Sequence, residues 1–282
     1  MVDRPFGGPW TRDKLEILSR YLDSYTTVLK AQPFNLFYVE AFGGEGSWSP
    51  GSEYISDDYG DFNDLHRASP RIALQVQDKP FDRLLFIEKD PQSSESLQRL
   101  RSEFPSRNIA IVNGDANTEL PRFCHDLQNF DRAVVFLDPF ATEVEWDTVE
   151  AIAKTQKIDC WILFPLMAIT RMMPTGNEPS QVLQDRLDRI FGGRQYWQSL
   201  YEPSLQLSFF DEEPKQERQH VSEGISVRYA ERLESVFAEV APTRRTFRNS
   251  KNAPMFALFF AASNPNGARR AIPIANHILN NW

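Results

Sequence analysis

Carboxylates stand at the ends of four consecutive predicted strands, where they could accept hydrogen bonds from a ligand that carries amino and hydroxyl groups. In chain order they are Glu40, Glu88, Asp115 and Asp138. In an open α/β sheet, ligands bind beyond the carboxyl ends of the strands. A single carboxylate there could simply end a strand or cap the next helix, and this alternative stays open for Asp115. Four carboxylates at the ends of four consecutive strands predict a common ligand site.

A glycine-rich loop follows the first of these strands, within the stretch FYVEAFGGEGSW (37–48). Glycines let the backbone turn sharply and come close to a bound molecule. The candidate cofactor-binding residues of this loop are Phe42, Gly43, Gly44 and Gly46. A plain turn after a buried strand is the simplest alternative to a binding loop.

Two well-known phosphate-binding patterns do not fit this loop. A dinucleotide-binding turn needs a third glycine, which would fall where Ser49 stands, and an acidic residue about 20 residues further on. Glu88 instead lies about forty residues past the glycines. A P-loop is excluded because no Gly-Lys-Ser or Gly-Lys-Thr follows. The loop is therefore predicted to bind another nucleotide-like cofactor.

The strand-end acids suit S-adenosylmethionine. Glu88 is placed to accept hydrogen bonds from two ribose hydroxyls, a task for a carboxylate with two acceptor oxygens. Asp115 could accept a hydrogen bond from the exocyclic amine of adenine, with Ala116 beside it. Glu40 lies close enough to the loop to attract the cationic amino-acid end of the cofactor. The sequence thus predicts S-adenosylmethionine as cofactor.

The stretch LDPF (137–140) is the best candidate for chemistry. It is similar to a motif of methyltransferases that act on exocyclic amines, in which Asp or Asn precedes two prolines and an aromatic residue. Asp138 and a backbone carbonyl would orient the amine, and Phe140 would stack on an unstacked base. Here Pro139 is a single proline, so the aromatic residue comes one position early. A strand-end turn with Phe140 packed under the sheet is the alternative.

Basic residues supply further candidates for substrate binding. Arg171, in FPLMAITRM, could hold a phosphate or carboxylate at the same rim, or form a salt bridge. Lys14, on the first predicted helix, is a candidate for the pocket edge. The basic stretch 243–251 is interpreted as a solvated hairpin face, with a phosphate-contacting patch as the alternative. With a net charge of −8, no global positive field favours nucleic acid.

The elements that must position these residues alternate along the chain. A first helix is predicted with Thr11 as its N-cap, and a second with Ser69 as its N-cap. Strands are predicted at 36–42, 83–88, 108–115, 133–138 and 158–164. Further helices are predicted at 91–104, 118–130 and 148–156. A long irregular segment spans 47–68. Two helical patterns occupy 165–240, strands at 243–249 and 254–263 can pair antiparallel, and a last helix is interrupted near Pro273.

This order predicts an α/β fold: a Rossmann-like class I methyltransferase fold with a mostly parallel seven-stranded sheet, a late antiparallel β-hairpin and a helical insertion. The 282 residues are interpreted as a single domain, 1–282, with the insertion at 165–240. Two cysteines and four histidines leave little room for a Cys/His metal site, and no metal is predicted. Without a long apolar run or signal-peptide core, no membrane association and a cytoplasmic location are expected.

Several stretches together resemble the three-Cys-motif partner protein family, TcmP, in matching order along nearly the whole chain. They are PWTRDKLEILSRYLDSY, FYVEAFGGEG, SPRIAL, FIEKDP, FLDPF, FPLMAITR and LFFAASNPNG. The family's loop reads closer to YIDAFAGPG, so this chain has Glu40 for Asp, Gly43 for Ala and Glu45 for Pro. The resemblance implies a Rossmann-type methyltransferase fold and, as partner, a three-Cys-motif protein of radical-SAM type.

Two functions follow as hypotheses. The first is an S-adenosylmethionine-dependent methyltransferase acting on an amine, with a nucleobase in RNA or DNA as candidate substrate. The second is a non-catalytic or nucleotide-binding partner protein with a methyltransferase-like fold, acting with the three-Cys-motif protein. The sequence leaves the substrate, the methylated atom and the oligomeric state open.

Overall fold

The computed structural model describes residues 9–41, 68–76, 78–139, 142–174, 178–200 and 214–281. The predicted irregular segment 47–68 lies almost wholly outside these ranges. No helix within them is long and apolar enough to cross a membrane.

Strands and helices alternate through the first two thirds of the described chain. The strands are β1 (Asn35–Ala41), β2 (Arg83–Glu88), β3 (Ile109–Asn113), β4 (Asp131–Leu137), β5 (Ile158–Phe164), β6 (Glu239–Val240), β7 (Arg245–Arg248) and β8 (Pro254–Ala262). The helices are α1 (Pro9–Leu29), α2 (Ala68–Gln75), α3 (Pro91–Glu103), α4 (Ala116–Asp126), α5 (Trp146–Lys154), α6 (Leu166–Met172), α7 (Gln181–Phe191), α8 (Pro214–Glu234) and α9 (Pro265–Asn280).

All eight described strands join one sheet in the order β3-β2-β1-β4-β5-β8, with β6 and β7 both pairing with β8. Strands β1 to β5 are parallel, and β8 runs antiparallel to β5. Two helical layers cover this mostly parallel sheet, and the late strands are antiparallel. The predicted class I methyltransferase-like fold is confirmed.

The outer neighbour of β8 is split into two short strands. Val240 pairs with Ala261 near one end of β8, whereas Phe247 pairs with Phe256 toward the other. Strands β6 and β7 therefore share one edge position, and the eight strands fill the seven positions that were predicted.

The alternation of side chains along each strand divides the core between the two faces of the sheet. On β1, Tyr38 belongs to a core cluster with side chains of α1, α2, α3 and α9. Val39 belongs to another with side chains of α4, α5, α7 and α8. Both faces are covered, which explains why the parallel strands read as nearly continuous apolar runs.

The helices between β5 and β6 contribute to this core. The ring of Tyr229 in α8 stacks on Phe164 of β5 with centroids 3.8 Å apart, and Phe191 of α7 meets both rings edge-on. The segment predicted as an insertion thus covers part of one sheet face.

Three local predictions were wrong. Thr11 was predicted as the N-cap of the first helix, but α1 already begins at Pro9. Ser69 was predicted as the N-cap of a helix, but α2 already begins at Ala68, and the Ser69 hydroxyl donates to Glu40 instead. The last helix was predicted to break near Pro273, but α9 continues through it. Proline costs that helix a backbone hydrogen bond, but its buried apolar stripe, which includes Ala275, holds it on the sheet.

Candidate active site

The carboxyl ends of the parallel strands bring the predicted acidic residues to one edge of the sheet. Glu40 lies next to Phe86 of β2 and Phe136 of β4 in the strand register. Glu88 is the last residue of β2, and Asp138 directly follows β4. Their common edge follows from the parallel strand order, because all these strands end on the same side.

Asp138 forms a buried ion pair with Lys14 of α1. The Lys14 Nζ atom lies 2.5 Å from Asp138 Oδ2, and each side chain is only 1% exposed. The ammonium group also lies 5.8 Å from the ring centroid of Trp10 and 5.6 Å from that of Phe136, within reach of a cation–π interaction. Asp138 is therefore held by a cation inside the protein, and Lys14 lies in the interior rather than at a pocket rim.

Glu40 lies in the same buried region and accepts two hydrogen bonds. The Tyr38 hydroxyl donates to its Oε2 atom at 2.9 Å, and the Ser69 hydroxyl donates to its Oε1 atom at 2.6 Å. Tyr38 and Glu40 reach each other because residues two apart on a strand point to the same face.

Burial raises the pKa of Glu40 to about 8, and the nearby negative charge of Asp138 adds to the rise. The hydrogen bonds from Ser69 and Tyr38 and the positive charge of Lys14 oppose it. Glu40 therefore keeps its proton at neutral pH, and a neutral carboxyl group lies beside the Lys14–Asp138 ion pair. We call the group of Lys14, Tyr38, Glu40, Ser69 and Asp138 the buried acid cluster.

Glu88 fixes the connections after two neighbouring strands. Its Oε1 atom accepts the backbone N–H of Asp90 at 2.7 Å, and its backbone carbonyl accepts hydrogen bonds from Asn113 and Gly114. Asp90 in turn caps α3 through the N–H of Ser93. The Glu88 carboxylate, 3% exposed, is thus held in place at the strand end.

Asp115 is the N-cap of α4. Its Oδ1 atom accepts the Asn117 N–H at 2.9 Å, and Lys89 lies 3.1 Å from Oδ2. The side chain is 43% exposed, so the carboxylate faces solvent at the sheet edge, and Ala116 beside it is buried. The capping role that sequence left open is present, and a contact with adenine stays a prediction.

Five predicted site residues lie outside the described residues. They are Phe42, Gly43, Gly44, Gly46 and Phe140. Pro139 is buried and lines a small cavity between the end of β5 and α8. Arg171 is exposed on α6, just after β5, and its substrate role stays a prediction.

The predicted basic stretch contributes to the same edge of the sheet. Arg244 and Arg248 line a surface cavity of about 100 Å³ together with Ser222 and Ser226 of α8. Arg248 also donates to the backbone carbonyl of Asn252. Glu223 lines the cavity too. The recess beyond the end of β5 therefore carries two arginines, one carboxylate and several hydroxyl groups.

Sequence reasoning missed Tyr38 and Ser69. The position of Tyr38, two residues before Glu40 on a strand, was a usable signal. Ser69 gave none, because its contact with Glu40 joins α2 to β1 across 29 residues of chain.

No protein family model matches the sequence, and no curated protein shows significant similarity to it. Among solved structures, a Legionella pneumophila protein of the DUF519 family aligns at 12% identity and a TM-score of 0.49, covering 94% of this chain and 91% of that one. The 23S rRNA methyltransferase ErmE aligns at 18% identity and a TM-score of 0.28, covering 55% of this chain and 48% of that one. Spermidine synthase from Thermotoga maritima aligns at 10% identity and a TM-score of 0.36, covering 90% of this chain and 62% of that one. All three TM-scores lie below 0.5, and the strand order and register define the fold.

Proposed function

We propose that this chain is an S-adenosylmethionine-dependent methyltransferase that acts on an amine, with a nucleobase in RNA or DNA as the candidate substrate. The observation that carries the proposal is the convergence of Glu40, Glu88, Asp115 and Asp138 at one edge of a class I methyltransferase-like sheet.

The described groups at this edge fit the cofactor. S-adenosylmethionine presents an ammonium group, a sulfonium centre, two ribose hydroxyls and an adenine amine, which are cationic or can donate hydrogen bonds. The edge offers the carboxylates of Glu88 and Asp115, which accept hydrogen bonds and attract cations. Glu88 would hold the ribose and Asp115 the adenine amine. The cofactor would supply the methyl group that is transferred.

Asp138 would accept a hydrogen bond from the substrate amine and so orient its lone pair. In the structure this carboxylate is paired with Lys14, so a substrate must share or replace that contact. The Lys14 ammonium group is the cationic partner of this carboxylate, and both side chains are buried. The recess that Arg244 and Arg248 line would hold a phosphate of a nucleic acid.

The resemblance to the TcmP family supports a second candidate, a partner protein that binds a nucleotide without turnover and acts with a three-Cys-motif radical-SAM-type protein. A specific observation favours it: Asp138 is 1% exposed and already bound by Lys14. Among the described residues, an amine therefore has no direct approach to this carboxylate.

Labelled-methyl incorporation separates the two candidates. The full chain is incubated with methyl-labelled S-adenosylmethionine and, in separate reactions, total RNA and DNA. The methyltransferase proposal expects label in a nucleic acid and its loss in Asp138→Ala. Cofactor binding by calorimetry without incorporation into either pool would favour the partner protein. If the folded chain binds neither S-adenosylmethionine nor S-adenosylhomocysteine, this cofactor is neither the methyl donor of an enzyme nor the nucleotide bound by a partner protein.

The Glu88→Gln substitution should weaken binding of S-adenosylhomocysteine about tenfold or more, since hydrogen bonds to charged groups contribute about 1.5–3 kcal/mol. The amide oxygen can still accept the Asp90 N–H, so the connection after β2 is kept. Isothermal calorimetry measures the affinity.

The matched control for this measurement is Glu95→Gln. Glu95 lies on α3 and is 73% exposed, so the same chemical change there should leave the affinity unaltered. Equal affinities of Glu88→Gln and wild type would remove Glu88 from the cofactor site.

A further inference from the structure

A second cavity, of about 670 Å³, lies at the opposite edge of the sheet from Asp138. It opens at the amino ends of β4 and β5, between the second half of α1 and the first half of α9. Its volume falls within the range of about 300–1,000 Å³ that small-molecule sites occupy. Because the parallel strands separate the two edges, this cavity is distinct from the buried acid cluster.

The walls of the cavity are largely aromatic and aliphatic. Tyr21, Tyr25 and Phe34 supply rings, and Leu29 and Ile274 supply aliphatic surface. The Tyr21 and Tyr25 rings lie 6.1 Å apart. Such walls favour a ligand with a flat apolar body.

One buried polar group in the cavity wall makes no hydrogen bond within the described part of the chain. It is the hydroxyl of Tyr25, whose residue is only 6% exposed. Leaving a buried hydroxyl unsatisfied costs about 1–3 kcal/mol, whereas a ligand in the cavity could supply its partner. This hydroxyl is an independent sign of a binding site.

A carboxylate, that of Asp159, lines the same cavity as Tyr25. Tyr21 donates to Asp159 Oδ2 at 2.7 Å. Burial raises the pKa of Tyr25 well above its ordinary value, the Asp159 charge raises it further, and Arg132 opposes this. Tyr25, Asp159 and Arg132 therefore face a common space.

Four cations surround the cavity, against the single carboxylate of Asp159. Arg132 lies over the Phe34 ring at 4.1 Å and donates to backbone carbonyls, and Lys157 donates to the carbonyl of Leu127. The other two cations, Arg269 and Arg270, lie on the first turns of α9 and are exposed. The excess of positive charge, together with the positive end of the α9 dipole, favours an anion.

We propose that this cavity binds an aromatic anion, a flat ring system that carries one phosphate or carboxylate group. The ring packs against the half-buried side chains of Leu29, Phe34 and Ile274 beside Tyr25. The anionic group pairs with Arg269 and Arg270 at the mouth. The Tyr25 hydroxyl bonds to a polar atom of the ring system. This site does not depend on the proposed methyltransferase activity.

The full chain is titrated with naphthyl phosphate, naphthoate and neutral naphthol, each carrying an additional hydroxyl group on its second ring as a partner for the Tyr25 hydroxyl. Binding is followed by ligand-observed NMR and calorimetry. We expect at least one of the two anions to bind about tenfold or more tightly than naphthol, because the anionic group forms charge-assisted hydrogen bonds. Preference for naphthyl phosphate or for naphthoate identifies the anionic group. Failure of both anions to bind, or binding no tighter than naphthol, overturns the proposal.

Three variants locate the site. Arg269→Ala with Arg270→Ala should weaken binding of the anion about tenfold, whereas the exposed pair Arg99→Ala with Arg101→Ala on α3 should not. Ile274→Trp should fill the cavity and block binding. Equal affinity in the two double-arginine variants would place the ligand elsewhere.

Tyr25→Phe tests whether the Tyr25 hydroxyl binds the ligand or only stabilises the fold. Without ligand it should leave the free energy of unfolding unchanged or slightly higher, because it removes an unsatisfied polar group, and it should weaken binding severalfold. Lower stability with unchanged affinity would contradict the assigned role.

Discussion

Lys14→Met is expected to lower the free energy of unfolding by about 3–5 kcal/mol, because it leaves the Asp138 carboxylate buried without its cation. Both groups are only 1% exposed, so water cannot replace the lost partner. Urea unfolding of the purified chain at neutral pH measures the change.

The double variant Lys14→Met with Asp138→Leu should recover most of this loss, since replacing both members of a buried ion pair by apolar groups is often neutral or stabilising. A surface pair serves as control. Lys30 and Asp82 lie 2.6 Å apart with side chains 23% and 41% exposed, and Lys30→Met should cost no more than about 1 kcal/mol. Equal effects of the two single lysine variants would show that the Lys14–Asp138 pair is not buried in solution.

The free energy of unfolding of Glu40→Gln relative to wild type is expected to rise as the pH increases from about 4.5 to 8. The folded-state pKa of Glu40 is raised from 4.5 to about 8, so the folded protein keeps a proton that the unfolded chain releases. Stability from this group is present below pH 4.5 and lost as the pH rises through 8. One pKa unit corresponds to about 1.4 kcal/mol, which puts the full difference at roughly 5 kcal/mol.

Urea unfolding of both proteins at several pH values between 4.5 and 9 tests this expectation. Asp159, whose pKa burial raises to about 6, titrates in both proteins, so the difference between the two curves isolates Glu40. Glu95→Gln, at an exposed site, should give a curve parallel to wild type. A Glu40→Gln curve that is also parallel would mean that Glu40 is ionised in the folded protein at neutral pH.

The order of helices and strands along the chain could be predicted from the sequence because it depends on local patterns. Apolar runs and helical spacing predicted β2 and β5 at their observed bounds and the antiparallel pairing of β7 with β8. These elements predicted the fold class, whereas the strand order β3-β2-β1-β4-β5-β8 comes from the pairing of the strands in the structure. Boundaries shifted by a few residues, as at α4, where Asp115 caps a helix that begins two residues earlier than predicted.

Side-chain partners were less accessible, since they depend on long-range packing. Lys14 and Asp138 are 124 residues apart in the chain, and no local pattern indicates that α1 brings an ammonium group under the end of β4. Ser69 has the local signature of an N-cap, yet α2 starts at Ala68, two residues before the predicted first helical position. The Ser69 hydroxyl bonds to Glu40 instead.

The sequence by itself determined the alternation of strands and helices and the placement of acidic residues at strand ends, because periodicity and strand length act over a few residues. The tertiary structure alone decided which of these acids are paired, buried or accessible. It pairs Asp138 with Lys14, makes Glu40 neutral by burial and leaves Asp115 at the surface. The physical reason is that the protonation state of a carboxyl group depends on its exposure to water and on the charges around it, and distant segments of the chain set both.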